Sequence, residues 1–421
     1  GKPISTKPAA ATVFNRLRNK KMHFQGLIGM ILLLGIAFVL SNNRRQINYR
    51  IIVWGLSLQF IFGILILKTP LGKPLFGFFD KVITKLISFS DAGSDFLFKS
   101  LVPGVGYHEA MVNFAFRALP TIIFFSSLMT VLYHFGVIQF IVKWISRIMQ
   151  KSMGTSGSET LSVAANIFVG QTEAPLMIRP FIRNMTQSEL MAVMTGGFAT
   201  VAGGVLALYV IWLKDIPGIA GHLLAASVMS APAAMVVAKI IYPETDLSET
   251  SGDLNIIIEK PDSNTMEALG RGATEGLKLA ANVAAMLVAF VALVAMINYF
   301  LTFADTSIQG ILGFVFRPLA WAMGISWEEA QMVGVLMGEK ITLTELIAYS
   351  DLRDLILEQA ISDRTAIIAS YALCGFANFA SIGIQLGGIG GIAPERRKDL
   401  ASLALKAMLG GALASWMTAS I

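Results

Sequence analysis

Two acidic residues stand inside long apolar stretches, Glu173 within 158–179 and Glu345 within 329–350. An ionisable side chain at membrane depth is costly and marks a functional site by default. The polar residues that accompany these two acids are Gln171, Thr172, Asn378 and Ser381. Carboxylates accept hydrogen bonds, amides both donate and accept them, and Phe376 offers an apolar face. The set therefore suits an uncharged solute that carries both hydroxyl groups and nitrogen.

The two acids also allow interpretations other than a binding site. In a purely structural one, Glu173 and Glu345 pair with Arg179 and Lys340 at the surface of a hairpin. An enzyme needs a nucleophile with a base, and the Ser-Gly-Ser sequence at 156–158 has no histidine near either acid. A channel needs polar residues along several spans, whereas polarity here is concentrated at two points. We therefore predict a carrier and no enzyme.

A second candidate site surrounds Thr200, which lies between glycine pairs at 196–197 and 203–204. Such glycines can interrupt a helix and free its carbonyl oxygens. Together with a threonine hydroxyl and an asparagine side chain, these oxygens suit a hard monovalent cation. Close packing of helices at small residues explains the same glycines equally well. The four histidines have no metal-ligand spacing, and Cys374, the single cysteine, cannot form an intrachain disulfide. No cofactor is predicted.

The elements that must position these residues are membrane-spanning helices. Of 421 residues, 55% are hydrophobic and 14% charged, against about 25% charged in soluble proteins. Only helices and closed barrels satisfy their own backbone in lipid, and the alternating segments of a barrel are absent. The eight predicted spans are 24–40, 51–67, 118–142, 190–213, 216–238, 279–304, 365–394 and 407–421, the last extended backward through Lys406.

Other segments are apolar without being long enough to cross. Glu173 interrupts 158–179, and Glu339, Lys340 and Glu345 interrupt 329–350. Each region splits into two halves of about ten residues, too short to cross, so we predict two re-entrant hairpins. Amphipathic interfacial helices are predicted at 71–101 and 266–279. Each hairpin precedes a span with small polar residues at its middle and then a further span. This internal repeat is typical of transporters that bind their cargo at the membrane midplane.

The net charge of +6 is interpreted through loop topology, because no basic face with interleaved aromatic residues indicates nucleic-acid binding. Basic residues cluster between spans one and two, after span three, and between spans seven and eight. The positive-inside rule makes that side cytoplasmic, so both termini are predicted to be periplasmic. The first 21 residues are predicted to form a basic disordered tail without the features of a signal peptide.

Three short motifs carry a family resemblance: NIFVGQTEAPL at 166–176, which is highly specific, ALCGFAN at 372–378, and SAP at 230–232 followed by Ala238-Lys239. They resemble those of the concentrative nucleoside transporters, particularly the bacterial sodium-coupled members. The resemblance covers the chain in order from about residue 24. It includes no counterpart of the extra N-terminal spans of animal relatives, so a bacterial inner-membrane protein is expected.

The resemblance implies an all-α polytopic homotrimer that moves nucleosides such as uridine together with sodium, by an elevator-like motion of a transport domain against a scaffold. The implied domains are a tail at 1–21, a scaffold at 22–137, transport-domain segments at 138–264 (interfacial helix, hairpin, spans four and five) and 328–421, and a segment at 265–327 whose sixth span belongs to the scaffold.

The resemblance also implies roles for individual residues. Gln171, Thr172 and Glu173 would face the nucleobase, Val205 and Phe376 would pack beside the nucleoside, and Glu345, Asn378 and Ser381 would hold the ribose hydroxyls. Sodium would be bound by the side chains of Asn166 and Thr200 and by main-chain oxygens near Val169, Thr200 and Val201. Because both side chains carry oxygen, sodium is favoured, and a proton-coupled nucleoside or nucleobase carrier is the alternative. Thr344 stands where many relatives have asparagine, which leaves the geometry of the second hairpin open.

Overall fold

The computed structural model describes residues 25–67, 69, 72–98, 115–116, 119–251 and 262–421, and all regular elements within them are helical. The predicted tail at 1–21 lies outside these residues. The first five helices are α1 (Gln25–Val39), α2 (Tyr49–Leu67), α3 (Gly72–Leu97), α4 (Leu119–His134) and α5 (Val137–Met153). The amphipathic segment predicted at 71–101 is thus a helix in its described part.

The span predicted at 118–142 is not one continuous helix. It consists of α4 and α5, which are bent by 74° relative to each other. The bend falls at Gly136, whose φ of 81° lies in the left-handed region that glycine adopts without a steric penalty. The charge-free stretch is therefore longer than the straight helix, because the backbone turns before the first basic residue of α5.

The first half of the repeat follows. Helix α6 (Gly157–Ala165) leads through an irregular turn into a 3-10 helix (Ala174–Ile178) and the short α7 (Arg179–Ile182). Next come α8 (Gln187–Ala199) and α9 (Gly203–Trp212), separated by a break at 200–202, and then α10 (Ile219–Ile241). The interruption that the glycine pairs predicted in the fourth span is thus present.

The second half begins after two connecting helices. These are α11 (Thr265–Leu301), which runs unbroken through the predicted amphipathic segment and sixth span, and α12 (Ile308–Ala322). The remaining helices are α13 (Ala330–Thr342), α14 (Glu345–Leu357), α15 (Asp363–Leu373), α16 (Phe379–Ile392) and α17 (Arg397–Ala419). The predicted seventh span is therefore also broken, at 374–378, and the element order of the first half is repeated.

The two broken spans meet at their breaks. Gly375 has a φ of 108°, and a Cβ atom at this position would lie 2.6 Å from the Phe198 carbonyl oxygen near the end of α8. Only glycine allows this conformation and this approach together. Helices α8, α10 and α17 pack on one another behind the breaks and form the buried centre of the molecule.

A different pair of helices faces this centre across a cavity. Helices α4 and α11 pack closely because Gly272 and Gly276 of α11 lie against the α4 backbone, where Cβ atoms would come within 2.6 Å of Ser127 and 2.7 Å of Ile123. Such small-residue packing is common between helices in membranes. Helix α12 packs along α13 instead.

Five helices or helix pairs of the described residues are long and apolar enough to cross a membrane: Tyr49–Ile66, Gln187–Trp212, Ile219–Ile241, Thr265–Ala304 and Pro394–Ala419. The bent pair α4–α5 makes a sixth if it is counted as one span. Helices α1 and α16 are apolar but shorter. The count of eight spans and the re-entrant placement of the two hairpins stay predictions.

The loops predicted to share one side do lie at one end of the bundle. Arg50, before the second span, donates to the carbonyl oxygens of Lys151 and Ser152 at 3.0 and 3.1 Å. Arg396, before α17, donates to the Arg183 and Met185 carbonyls at 2.8 and 2.6 Å. The loop after α1 joins the same end, where Asn42 N donates to Ile241 O. The start of α1 and the end of α17 meet at the other end, since Gly26 lies against Ser420.

Candidate functional site

A cavity of about 1230 Å³ opens where the two halves of the repeat face α4 and α11. Its walls include the turn after α6, the start of α9, the starts of α14 and α16, and one face each of α4 and α11. All eight residues predicted to contact the solute line this cavity: Gln171, Thr172, Glu173, Val205, Glu345, Phe376, Asn378 and Ser381. Residues more than 200 positions apart in sequence are thus brought to one place.

The Glu345 carboxylate is held from two directions. Its Oε1 accepts a hydrogen bond from the Tyr209 hydroxyl at 3.1 Å, and its Oε2 accepts one from Asn378 Nδ2 at 2.6 Å. Asn378 cannot turn its amide around, because its Oδ1 caps α16 by accepting from Ser381 N at 2.7 Å. A carboxylate has about four lone-pair sites, so acceptor capacity is left for a solute hydroxyl.

Thr344, the departure from the family pattern, has a structural role. Its side chain caps α14 by accepting a hydrogen bond from Ile347 N. Threonine is a good N-cap residue, as asparagine is. Glu345 is therefore the first residue of a capped helix, where its negative charge also interacts favourably with the helix dipole.

The acid of the first half lies in the irregular turn. Glu173 N donates to Gly170 O at 3.1 Å, and the Glu173 carboxylate folds back over Gly170 so closely that a Cβ atom there would overlap it. Neighbouring Thr172 packs on Gly388 of α16, where a Cβ atom would lie 2.7 Å from the Thr172 methyl group. Two glycines thus make room for the side chains of this turn.

The purely structural interpretation of the acids is not supported. Lys340 donates to Ala372 O, Cys374 O and Ser415 Oγ at 2.9, 3.0 and 2.7 Å, which uses its three protons. In the part of the chain that the structure describes, neither Glu173 nor Glu345 forms an ion pair. Lys340 instead satisfies carbonyl oxygens that the break after α15 leaves without helical partners.

The four residues predicted to bind a cation lie where the first hairpin turn meets the break in the fourth span. Asn166, Thr200 and Val201 are each no more than 2% exposed. Asn166 Nδ2 donates to Ser162 O at 3.1 Å, while Asn166 Oδ1 is buried without a hydrogen-bond partner. A buried acceptor without a donor is costly, and a bound cation would satisfy it. Val169 lies in the same turn, and its N–H donates to Ala165 O.

The break next to Thr200 frees backbone oxygens. In a continuous helix the amides of Val201 and Gly203 would donate to carbonyls four residues earlier. Here Val201 N lies 3.4 Å from Ser227 Oγ, and Gly203 N donates to Phe168 O at 3.2 Å. The Thr200 hydroxyl donates to Gly196 O at 3.0 Å, so its lone pairs stay available.

Four residues that position the site were not predicted as such: Tyr209, Ser227, Lys340 and Gln385. Ser227 of α10 links the break to the hairpin turn, because its hydroxyl also lies 3.4 Å from Ile167 O. Gln385 is a polar residue in the middle of an apolar helix, a signal visible in the sequence. Tyr209 and Ser227 give no such signal, since both are common within apolar helices.

A buried charged network fixes the far end of the first hairpin. Lys239 of α10 lies 2.7 Å from Glu159 of α6 and 3.1 Å from Glu244. Glu189, at the start of α8, accepts hydrogen bonds at 2.5 Å from the hydroxyls of Ser156 and Ser248. These contacts join α6, α8, α10 and the following loop. The turn that carries Glu173 is thereby held on a rigid base.

The chain matches three models that together cover most of its length. They are the Na⁺-dependent nucleoside transporter N-terminus at residues 28–101, nucleoside recognition (gate) at 115–215, and the Na⁺-dependent nucleoside transporter C-terminus at 222–421. Among related proteins, an uncharacterized transporter of Haemophilus influenzae is 41% identical and YutK of Bacillus subtilis, also an uncharacterized transporter, is 43% identical. Both alignments cover 94% of this chain and 96% or 98% of the relative.

Mouse sodium/nucleoside cotransporter 1 is 41% identical over 93% of this chain, which spans 62% of that longer protein. Among solved structures, CNTnw in an inward-facing substrate-bound state has a TM-score of 0.88 at 43% identity, covering 95% of this chain and 96% of CNTnw. A doubly substituted CNTnw in an outward-facing state has a TM-score of 0.86 at 42% identity, covering 94% and 96%.

The fold and cavity define a helical membrane carrier, and the relatives are transporters, not enzymes. The chain belongs to the Na⁺-dependent nucleoside transporter family, the concentrative nucleoside transporters that its motifs indicated.

Proposed function

We propose that this protein is a sodium-coupled symporter that imports nucleosides, uridine among them, across a bacterial inner membrane. The observation that carries the proposal is the cavity in which two carboxylates, Glu173 and the buried Glu345, and two buried amides converge from both halves of the repeat. Glu345 and Asn378 would bind the ribose hydroxyls, and Gln171, Thr172 and Glu173 would bind the base. Val205, Phe376 and Ser381 would complete the wall around the cargo.

Sodium is favoured over protons as the coupling ion by the chemistry of the second site. Asn166 Oδ1 is buried and unpartnered, the Thr200 hydroxyl keeps lone pairs, and the adjacent break frees backbone oxygens. Oxygen ligands of this kind suit a hard cation. Sodium bound there, with main-chain oxygens near Val169 and Val201, would fix the first hairpin turn against the break. The turn carries Gln171 to Glu173, so ion binding would preorganise the cargo site.

The cavity lies between two groups of helices, which suggests how cargo moves. Helices α4 and α11 pack on each other and form one wall, whereas the broken helices of both halves form the other. We assign spans one to three and α11 to a static scaffold, and 138–264 with 328–421 to a mobile transport domain. Helix α12 packs along α13 and would move with it. Elevator-like sliding of the mobile part would carry the cargo past the wall formed by the scaffold.

The proposal extends to orientation and assembly. The basic end of the bundle, which carries Arg50, Lys151 and Arg396, would be cytoplasmic by the positive-inside rule. Both termini would then be periplasmic. The apolar outer face of α11, with exposed Val288 and Tyr299 among others, would contact lipid or neighbouring subunits in a homotrimer. Near full-length coverage of the two bacterial transporters supports a bacterial cell membrane as the location.

The experiment that tests the proposal is uptake of radiolabelled uridine into proteoliposomes. An inward sodium gradient is compared with a proton gradient in sodium-free buffer, with unlabelled nucleosides and nucleobases as competitors. Accumulation that needs sodium and is competed by nucleosides is expected. Accumulation with protons alone would refute the cation site, and competition by free bases alone would refute the ribose contacts.

A further inference from the structure

Gln385 is a buried amide that connects three parts of the site. It lies on α16, is 1% exposed, and does not line the cavity. Its Nε2 donates to Gln171 Oε1 at 3.0 Å and to the main-chain oxygen of Met194, in α8, at 3.1 Å. The turn of the first hairpin, the fourth span and the seventh span thus meet at one side-chain nitrogen.

These contacts fix which way each amide points. A main-chain carbonyl is only an acceptor, so the Gln385 atom beside Met194 O must be the nitrogen. The same nitrogen faces Gln171, and the Gln171 atom that it contacts must therefore be the oxygen. Amide orientations are normally assigned from such networks, and here a backbone group determines both.

The geometry also requires space that a neighbouring glycine provides. A Cβ atom at Gly197 would lie 2.7 Å from Gln385 Nε2 and 3.0 Å from Gln171 Cβ. The two glutamines therefore pack against α8 through the one residue type that leaves room for them. In this orientation Gln385 Oε1 is buried without a partner, which is costly. In the opposite orientation Oε1 would instead face the Met194 carbonyl oxygen, and the two oxygens would repel each other.

Because its oxygen faces Gln385, which does not line the cavity, Gln171 turns its N–H groups toward the cavity. Gln171 lines the cavity, and no described residue accepts a hydrogen bond from its Nε2. Glutamine can donate or accept through its amide, but this one is held as a donor. The atom of the cargo that reaches Gln171 must then be an acceptor.

We propose that Gln385 is a positioning residue that holds Gln171 as a hydrogen-bond donor, so that the site prefers nucleosides whose base presents a carbonyl oxygen there. This inference rests on the proposed function. We place opposite Gln171 the carbonyl oxygen that uracil and hypoxanthine carry where cytosine and adenine have an amino group. Because Glu345 and Asn378 would hold the sugar, the base would be kept in one position relative to Gln171.

The test is competition of radiolabelled uridine uptake by unlabelled uridine and cytidine, expressed as the ratio of their inhibition constants. In the unmodified protein we expect uridine to bind at least about five-fold more tightly, since a donor facing an amino group leaves both unpaired. Gln385→Met retains side-chain length but lets the Gln171 amide rotate, so the ratio should fall to within about two-fold of one. Gln385→Glu supplies an acceptor to Gln171, turns its N–H groups away from the cavity, and should favour cytidine.

A matched control is Gln59→Met. Gln59 is also a fully buried glutamine whose Nε2 makes a hydrogen bond, to Thr418 Oγ1 at 2.9 Å, and whose Oε1 is unpartnered, but it lies outside the cavity. Its substitution should leave the uridine-to-cytidine ratio unchanged even where the amount of folded protein falls.

The outcomes separate the two proposals. The role of Gln385 is overturned if the ratio of inhibition constants is near one in the unmodified protein, or if Gln385→Met leaves the ratio unchanged. In either case, uridine uptake itself still supports the nucleoside carrier. Should Gln385→Glu not fold, Gln385→Met alone decides. Absence of any nucleoside uptake by the unmodified protein refutes the proposed function.

Discussion

Replacing Glu345 with glutamine isolates the contribution of one carboxylate to cargo binding. The substitution is structurally mild: an amide oxygen in place of Oε2 still accepts from Asn378 Nδ2, and an amide nitrogen in place of Oε1 can donate to the Tyr209 hydroxyl, which also accepts. What is lost is the charge and the spare acceptor capacity. Hydrogen bonds to charged groups contribute about 1.5–3 kcal/mol, so losing one raises the apparent KM by about 10- to 150-fold.

The assay is the concentration dependence of sodium-driven uridine uptake, normalised to the amount of protein in the membrane. Tyr209→Phe is the matched control, because it removes one neutral partner of Glu345 and leaves the carboxylate; a rise of no more than about ten-fold is expected. Asn378→Ala should abolish uptake, because it removes both a partner of Glu345 and the cap of α16. The reasoning would be refuted if the KM of the Glu345→Gln protein stayed within about three-fold of that of the unmodified protein.

Further predictions concern the ion site and the breaks. Thr200→Ala and Ser227→Ala should raise the sodium concentration needed for half-maximal uptake while saturating uridine uptake persists, and an unchanged sodium dependence would contradict the cation site. Lys340→Met should lower the melting temperature of the purified protein, because the carbonyl oxygens after α15 lose their donor at about 1–3 kcal/mol each; equal melting temperatures would contradict this role. Gly375→Ala should reduce the yield of folded protein, since its Cβ would collide with Phe198 O, and a normal yield would show that the breaks can separate.

The residues proposed to contact the solute were accessible to sequence reasoning because charge is costly in an apolar environment. Glu173 and Glu345 are conspicuous for that reason, and the glycines around Thr200 indicated the break in the fourth span. The resemblance then named partners such as Val205, which nothing in its own type distinguishes. The structure brings all eight residues proposed to contact the solute to one cavity.

What the sequence did not reveal depends on backbone direction and on long-range contacts. The bend at Gly136 is invisible to a count of charges, so one span was predicted where two helices stand. From the sequence, Lys340 is a candidate partner of Glu345. Its actual role, donating to the carbonyl oxygens after α15, depends on a helix break that exists only in the folded chain. The link between Gln385 and Gln171 joins positions 214 residues apart, and no periodicity relates them.

The measurement that most directly tests the central claim is calorimetric titration of the purified protein with uridine and with sodium, each in the absence and presence of the other. Coupling through a shared hairpin turn requires that each ligand raise the affinity of the other by the same factor. We expect equal factors well above one in the unmodified protein and a factor near one in Asn166→Leu. A uridine Kd that does not depend on sodium in the unmodified protein would contradict sodium-coupled transport.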